Sequence, residues 1–347
     1  MQRHGIRIVL IFVLIISILI AAGTGAMSIT PLQVIAILLG KVGIHLPVSF
    51  TVGMAEVLLQ IRLPRVCLGV LVGAGLAIAG AAIQGLFRNP MADPILIGIS
   101  SGASLFAVMS IVLLSSLPIM AGSRIGGHYL LNFAAFAGAC LSSLLVFRLS
   151  GGAGRTGIAA LLLAGLAVNA LCNALTGLIT YTANNEELRS VTFWLMGSLG
   201  GASWKVILSL LPFILVPLWG LPRAAKSLNA YALGEADATY LGIDVRRLKI
   251  AVILLSTLAV GASVAVSGII GFVGLIVPHI LRVLSGGDHR SLLVNSALFG
   301  SSLLTLADVC SRTLIAPAEL PIGIITAVIG TPLFMLLLSR QKKIISI

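Results

Sequence analysis

Four polar side chains recur along one apolar run of the chain: Asn169, Asn173, Thr176 and Thr180, at spacings of four, three and four. On an α-helix these positions share one face. A carboxamide turned toward lipid is costly, so this face points either to protein, as packing glue between helices, or to a water-filled path for polar cargo. Thr326 and Thr331, near the end of the chain, offer a second, thinner polar lining. The remaining groups with chemical potential stand alone. His279 follows Pro278 with no metal-binding partner at ligand spacing, and reads as a hydrogen-bonded structural residue. Cys67, Cys140, Cys172 and Cys310 form no CxxC and lie in apolar runs, where thiols behave as small apolar side chains. Neither a metal centre nor a catalytic constellation is expected: there is no GxxxxGK[ST] and no HExxH. Asp308 is the one acid well inside an apolar run, four residues before Arg312, a spacing that permits an intrahelical pair. Arg62 and Arg65 stand at the mouth of another run. These three arginines either snorkel at an interface or offer a docking face to acidic residues of a partner.

The elements that must position these groups are membrane helices. Of 347 residues, 59% are hydrophobic and 9% charged, with a mean hydropathy of +1.15. Soluble domains carry about 25% charged residues. A span needs roughly 20 apolar residues, and on that ruler the chain holds ten segments, near 8–27, 63–86, 95–117, 129–149, 157–181, 203–222, 248–267, 269–284, 291–312 and 323–339. The first is longer than the apolar core of a secretion signal and is read as a retained span. The eighth is short, contains Gly271, Gly274 and Pro278, and is expected to be broken or to cross only part of the bilayer. Small residues at Gly69, Gly73, Ala77, Ala81 and Gly85 give the second segment a ridge for close helix packing. Net charge is +12, but the basic residues are dispersed between apolar runs, a topology signal and not a nucleic-acid surface. With the N-terminus inside, fifteen of the 22 Lys and Arg residues fall on the cytoplasmic side and seven outside, which places both termini in the cytoplasm.

On the same side falls residues 223–249, the longest polar stretch, with Glu235, Asp237 and Asp244 among the chain's ten acids. Apolar residues recur through its middle at roughly helical spacing. The loop 87–94, FRNPMADP, reads as a turn at the same surface. A faint echo relates Arg62 and Pro94 to Arg246 and Pro278, both 32 residues apart, one run starting outside and the other inside. Inverted repeats around a central pathway are a common transporter plan. An ion-coupled carrier is the alternative plan, but the spans lack mid-membrane carboxylates. A chain that transports without a P-loop of its own must draw energy from elsewhere.

Four blocks carry a resemblance to a known family: RLPRVCLGVLVGAGLAIAGAAIQGLFRNPMADPILIGISSGASL (62–105), GEADATYLGIDVRRLK (234–249), SGIIGFVGLIVPHILRVLSGGDHR (267–290) and AELPIGIITAVIGTPLF (318–334). In order and spacing they resemble the FecCD/BtuC-type permeases of bacterial importers for ferric siderophores, haem and cobalamin. The resemblance implies an all-α polytopic membrane protein of ten transmembrane helices, a type II ABC importer permease with an inverted repeat relating helices 2–5 to helices 7–10. It implies one permease domain over residues 1–347 in the bacterial inner membrane, with a second copy, two cytoplasmic ATPase subunits carrying ATP and Mg, and a periplasmic binding protein as partners. This chain itself would bind no cofactor. The polar stretch would form coupling helices on the ATPase, near Leu228–Gly242, drawing on Leu228, Tyr231, Gly234, Glu235, Asp237, Tyr240, Leu241 and Gly242. Arg62, Arg65 and Arg312 would meet acidic residues of the binding protein. Asn169, Asn173, Thr176, Thr180 and Thr326 would line the path. The wording of SGGDHR and APAELPIG is closest to haem permeases, with a ferric siderophore or cobalamin as the other cargoes.

Overall fold

The computed structural model describes residues 2–44, 46–114, 124–151 and 157–345, and among these every regular element is helical. In chain order they are α1 (Gln2–Gly23), α2 (Pro31–Lys41), α3 (Val52–Glu56), a π-helical turn (Val57–Arg62), α4 (Leu63–Phe87), a 3-10 turn (Pro94–Ile97), α5 (Ile99–Leu114) and α6 (Arg124–Leu149). There follow α7 (Ile158–Tyr181), α8 (Asn185–Met196), α9 (Trp204–Arg223), α10 (Ala225–Leu233), α11 (Glu235–Tyr240), α12 (Val245–Ser267), α13 (Val273–Ser285), α14 (His289–Thr313) and α15 (Ile322–Ile345).

Among the described residues, seven stretches are long and apolar enough to cross a bilayer: Gly5–Gly23, Val52–Phe87, Tyr129–Leu149, Ile158–Tyr181, Trp204–Arg223, Val245–Ser267 and His289–Thr313. The other three expected segments fall on shorter apolar helices, Ile99–Leu113, Val273–Ser285 and Ile322–Met335. The segment expected at 269–284 starts late, at Val273. Gly268 and Phe272 both take left-handed backbone, φ 68°, and separate α13 from α12. Pro94 opens the 3-10 turn, whereas Pro278 lies inside α13, so the two prolines of the echo sit in unlike settings. One apolar helix, α2, falls outside the ten expected segments. Its start was written in the sequence: Thr30 and Gln33 close a capping box and Pro31 takes the first helical position.

The bundle is wrapped around α4. The stretch that contains it is the most buried of the spans among the described residues, and the small-residue ridge is the reason. Gly73 lies against the backbone of Gly300 in α14, and Gly80 against the carbonyl of Gly274 in α13, so close that a Cβ at either glycine would collide with main chain. Gly85 leaves room for the His289 ring. Between hydrocarbon-soluble helices there is little hydrophobic drive, and such close backbone approach supplies dispersion contact in its place. Ser301 Oγ donates to the Val70 carbonyl at 2.8 Å, joining α14 to α4 midway.

One end of the bundle is fastened by charge. The last carbonyls of α1 have no partners within their own helix, and α1 has no basic residue in its last turn. Cations come from elsewhere in the chain. Arg62 donates to the carbonyls of Ala22 and Gly23, both at 2.8 Å, and to that of Met27. Arg312 donates to those of Ala21 at 3.1 Å and Thr24 at 3.3 Å. Beside them Arg65 Nε lies 2.9 Å from Asp308 Oδ1, and its two terminal nitrogens form a fork with Glu319 at 2.7 and 2.9 Å. Arg312 Nε closes the cluster 3.1 Å from Asp308 Oδ2. Trp204 Nε1 donates to Leu59 at 3.0 Å, occupying a carbonyl of the π turn that leads into Arg62.

Removing the buried carboxylate leaves Arg312 without a counter-ion and Arg65 with Glu319 alone, so Asp308→Ala is expected to cost about 3–5 kcal/mol. Thermal unfolding in detergent should show a clear fall in Tm, and an unchanged Tm would remove the cluster from the account. Glu319→Gln should cost less, because that side chain is 46% exposed and solvent screens it. The hydrogen bond from Arg65 holds the Glu319 carboxyl below its ordinary 4.5. Its contribution is therefore complete above that pH and is lost as pH falls through the lowered value.

Candidate functional site

At the other end of α4 and α14 the polar stretch folds into a helical hairpin. Gly234, with φ 148° and ψ 156°, makes the corner between α10 and α11, and Gly242, φ 79°, ends the unit before α12. Its roots are apolar and fully covered: Leu228, Tyr231 and Ala238 have no exposure and Ala225 almost none. The Tyr231 ring is flanked by the Arg88 guanidinium carbon at 5.2 Å and Lys249 Nζ at 5.9 Å, both within cation–π range. Burial, with the nearby Glu235 carboxylate, pushes the Tyr231 phenol up against the opposing pull of Arg88, so the ring stays neutral. Arg88 can reach it because it ends α4 in a left-handed conformation, φ 50°. Lys249 also binds Glu235 at 2.8 Å, which ties α11 to the start of α12.

The far side of the hairpin is apolar and open. Tyr240 is 90% exposed, Leu233 70% and Leu241 62%. The eight residues named for ATPase coupling thus divide into two groups. Leu228 and Tyr231 point into the bundle and anchor the unit, and the two glycines shape it. Glu235, Asp237, Tyr240 and Leu241 lie on or near its outer face. Leu233 joins that face and was not among the residues expected there, since the helical spacing of the stretch could not show that Gly234 turns it outward.

The expected turn at 87–94 forms as read: Asn89 Oδ1 accepts from the Met91 N–H at 2.9 Å and Asp93 Oδ1 from the Ile95 N–H at 2.8 Å. His279 is buried nearby, and its Nδ1 has no hydrogen-bond partner among the described residues. No group of three metal-binding side chains occurs among the described residues, and the four cysteines are free.

On α7 the polar stripe is resolved into different environments. Asn169 is half-buried and makes two bonds, accepting from Ser101 Oγ at 2.7 Å and donating to the Ile95 carbonyl at 3.0 Å. It is a fastener to α5. Thr176 and Thr180 return their hydroxyls to the carbonyls of Cys172 and Thr176 at 2.8 and 2.7 Å. Asn173 alone is exposed. Thr326 is buried, and donates to the Gly323 carbonyl at 3.1 Å. Both readings of the stripe therefore have a share: glue at Asn169, an open face at Asn173. Leu163, Leu166 and Leu178 leave the rest of α7 apolar and uncovered.

The three arginines expected to face a partner are turned inward. Arg62 and Arg65 are buried and the Arg312 side chain is nearly so. All three spend their donors on α1 carbonyls or on Asp308 and Glu319, and the exposed member of the cluster is the carboxylate of Glu319. Asp308 is itself paired on both sides, so the acid that an ion-coupled carrier would need is already neutralised.

A helical membrane bundle with a helical hairpin at one end has counterparts. The family model of the FecCD transport family matches residues 13–340. The hemin transport system permease protein HmuU of Yersinia pestis is 44% identical over 97% of both chains. The vitamin B12 import system permease protein BtuC of Escherichia coli O9:H4 is 39% identical over 82% of this chain and 84% of its own. A solved structure of an inward-facing metal-chelate type ABC transporter superposes with a TM-score of 0.82 at 33% identity, covering 95% of this chain and 97% of that one. The chain belongs to the FecCD transport family: it is a permease of an ABC importer of the metal-chelate, haem and cobalamin type, and not itself an enzyme.

Proposed function

We propose that this chain is the permease of a haem importer, working as a pair of copies in the bacterial inner membrane with both termini in the cytoplasm. The observation that carries the cargo is the 44% identity to a hemin permease across 97% of both chains. The resemblance to a vitamin B12 permease is lower and covers less of the chain. Two cytoplasmic ATPases supply the energy, since this chain has no phosphate-binding loop, and a periplasmic binding protein delivers haem to the arginine end. There, acids of the binding protein exchange with Glu319 for the guanidinium of Arg65. The open face of the hairpin, Leu233, Tyr240 and Leu241, seats in the ATPase. ATP binding and hydrolysis move the hairpin, and the bundle opens to alternate sides around a path that includes Asn173.

The cognate binding protein, purified from cells given hemin, is expected to show a haem Soret band. A protein that instead carries the absorption of a cobalamin or a ferric siderophore would reassign the cargo within the same family. Replacing both exposed anchors, Tyr240→Glu with Leu241→Glu, should weaken co-purification of the ATPase by roughly tenfold or more, as expected when an aromatic anchor is lost from an interface. Retention at the wild-type level would move the contact off this face.

A further inference from the structure

Besides its apolar roots and the Glu235–Lys249 pair, the hairpin meets the bundle at a polar joint on α10. Asn229, on α10, sends its Nδ2 to Asp288 Oδ1 at 2.7 Å, while its Oδ1 accepts the main-chain N–H of His289 at 2.9 Å. The same Oδ1 lies 2.8 Å from His289 Nδ1, so with Nδ1 protonated the histidine donates twice to one oxygen. Asp288 is the N-cap of α14 and accepts the Arg290 N–H at 3.0 Å through that same Oδ1. The first free N–H of α14 is therefore satisfied by a side chain of another helix, and the cap proper is held by its amide. A helix start is normally capped from its own flanking residue.

The placement of this joint gives it mechanical meaning. From His289, α14 runs 25 residues to its far end, about 37 Å at 1.5 Å per residue. At that end Asp308 and Arg312 join Arg65 at the foot of α4. At the hairpin end the His289 ring packs on Gly85 of α4, and Arg88 beyond it faces Tyr231. Two antiparallel rods, α4 and α14, are thus pinned to each other by charge at one end and to the hairpin at the other. Between the pins their contact is a small-residue seam at Gly73, Ala77 and Gly300, crossed by the bond from Ser301 Oγ to the Val70 carbonyl. Movement of the hairpin reaches the arginine end along these rods.

We propose that Asn229 is a positioning residue for energy coupling: its joint to Asp288 and His289 passes the state of the hairpin to α14, and through α14 to the arginine end. The inference rests on the importer reading above. It places Asn229 in transmission and not in ATPase binding, since the side chain faces the bundle while Leu233, Tyr240 and Leu241 face out.

The test reverses the polarity of the bond. Asn229→Asp sets two carboxylates against each other, and adding Asp288→Asn restores an amide-to-carboxylate hydrogen bond with the donor on the opposite side. The 288 position keeps a capping oxygen in both. The permease, co-purified with its ATPase in liposomes, is assayed for the stimulation of ATP hydrolysis by the cognate binding protein, a readout independent of which cargo is carried. The single variant should retain the ATPase and unstimulated hydrolysis but lose about tenfold of the stimulation, the scale of a hydrogen bond to a charged group. The double variant should regain most of it. Normal stimulation in the single variant, loss of the ATPase from it, or failure of the double variant to recover would each overturn the proposal. A wild-type chain that retains no ATPase at all would instead sink the importer reading, and the coupling role with it.

Discussion

The structure depends on a constraint of its solvent: in hydrocarbon, main-chain groups that helices leave unpaired must find partners inside the protein. The C-terminus of α1 is where this constraint acts most strongly. Five carbonyls there, from Ala21 to Met27, are taken up by Arg62 and Arg312, cations borne by the π turn and by α14. The carbonyl end of a helix carries partial negative charge, which favours such donors. Burying them in turn requires anions, and Asp308 and Glu319 provide these through Arg65 and Arg312. One unmet helix end therefore accounts for the whole cluster, and it draws α1, α4, α14 and the segment before α15 together.

The rest of the bundle answers to the opposite requirement. Where no polar group fixes them, α4, α13 and α14 approach through glycine and alanine, a surface with few interlocking side chains. The charged fastenings lie at the two ends, and a largely apolar middle lies between them. Asp308, the acid inside α14, is already bound by two arginines, which does not suit ion-coupled exchange.

Much of this was legible in the sequence. Apolar runs located the long spans, the eighth segment was expected to be short or broken and its helix is short, and the polar stretch at 223–249 holds the short helices α10 and α11. The α2 helix was missed because its 11 residues fall below the length used for a span, although its capping box was visible. The arginines were legible as unusual and illegible as to partners: carbonyl acceptors leave no trace in residue identity, and Glu319 lies 254 positions from Arg65. Asn229 was hidden for the same reason, its partners being 59 and 60 residues away on another helix. The stripe on α7 was found by periodicity, yet periodicity does not separate Asn169, which is bonded to α5, from Asn173, which is open.

The most direct test of the account is hemin uptake into liposomes holding the purified permease, its ATPase and its binding protein. The account predicts accumulation with ATP and Mg, none with a non-hydrolysable ATP analogue, and none from a proton or sodium gradient across liposomes holding the permease alone. Gradient-driven accumulation by the permease alone would contradict it.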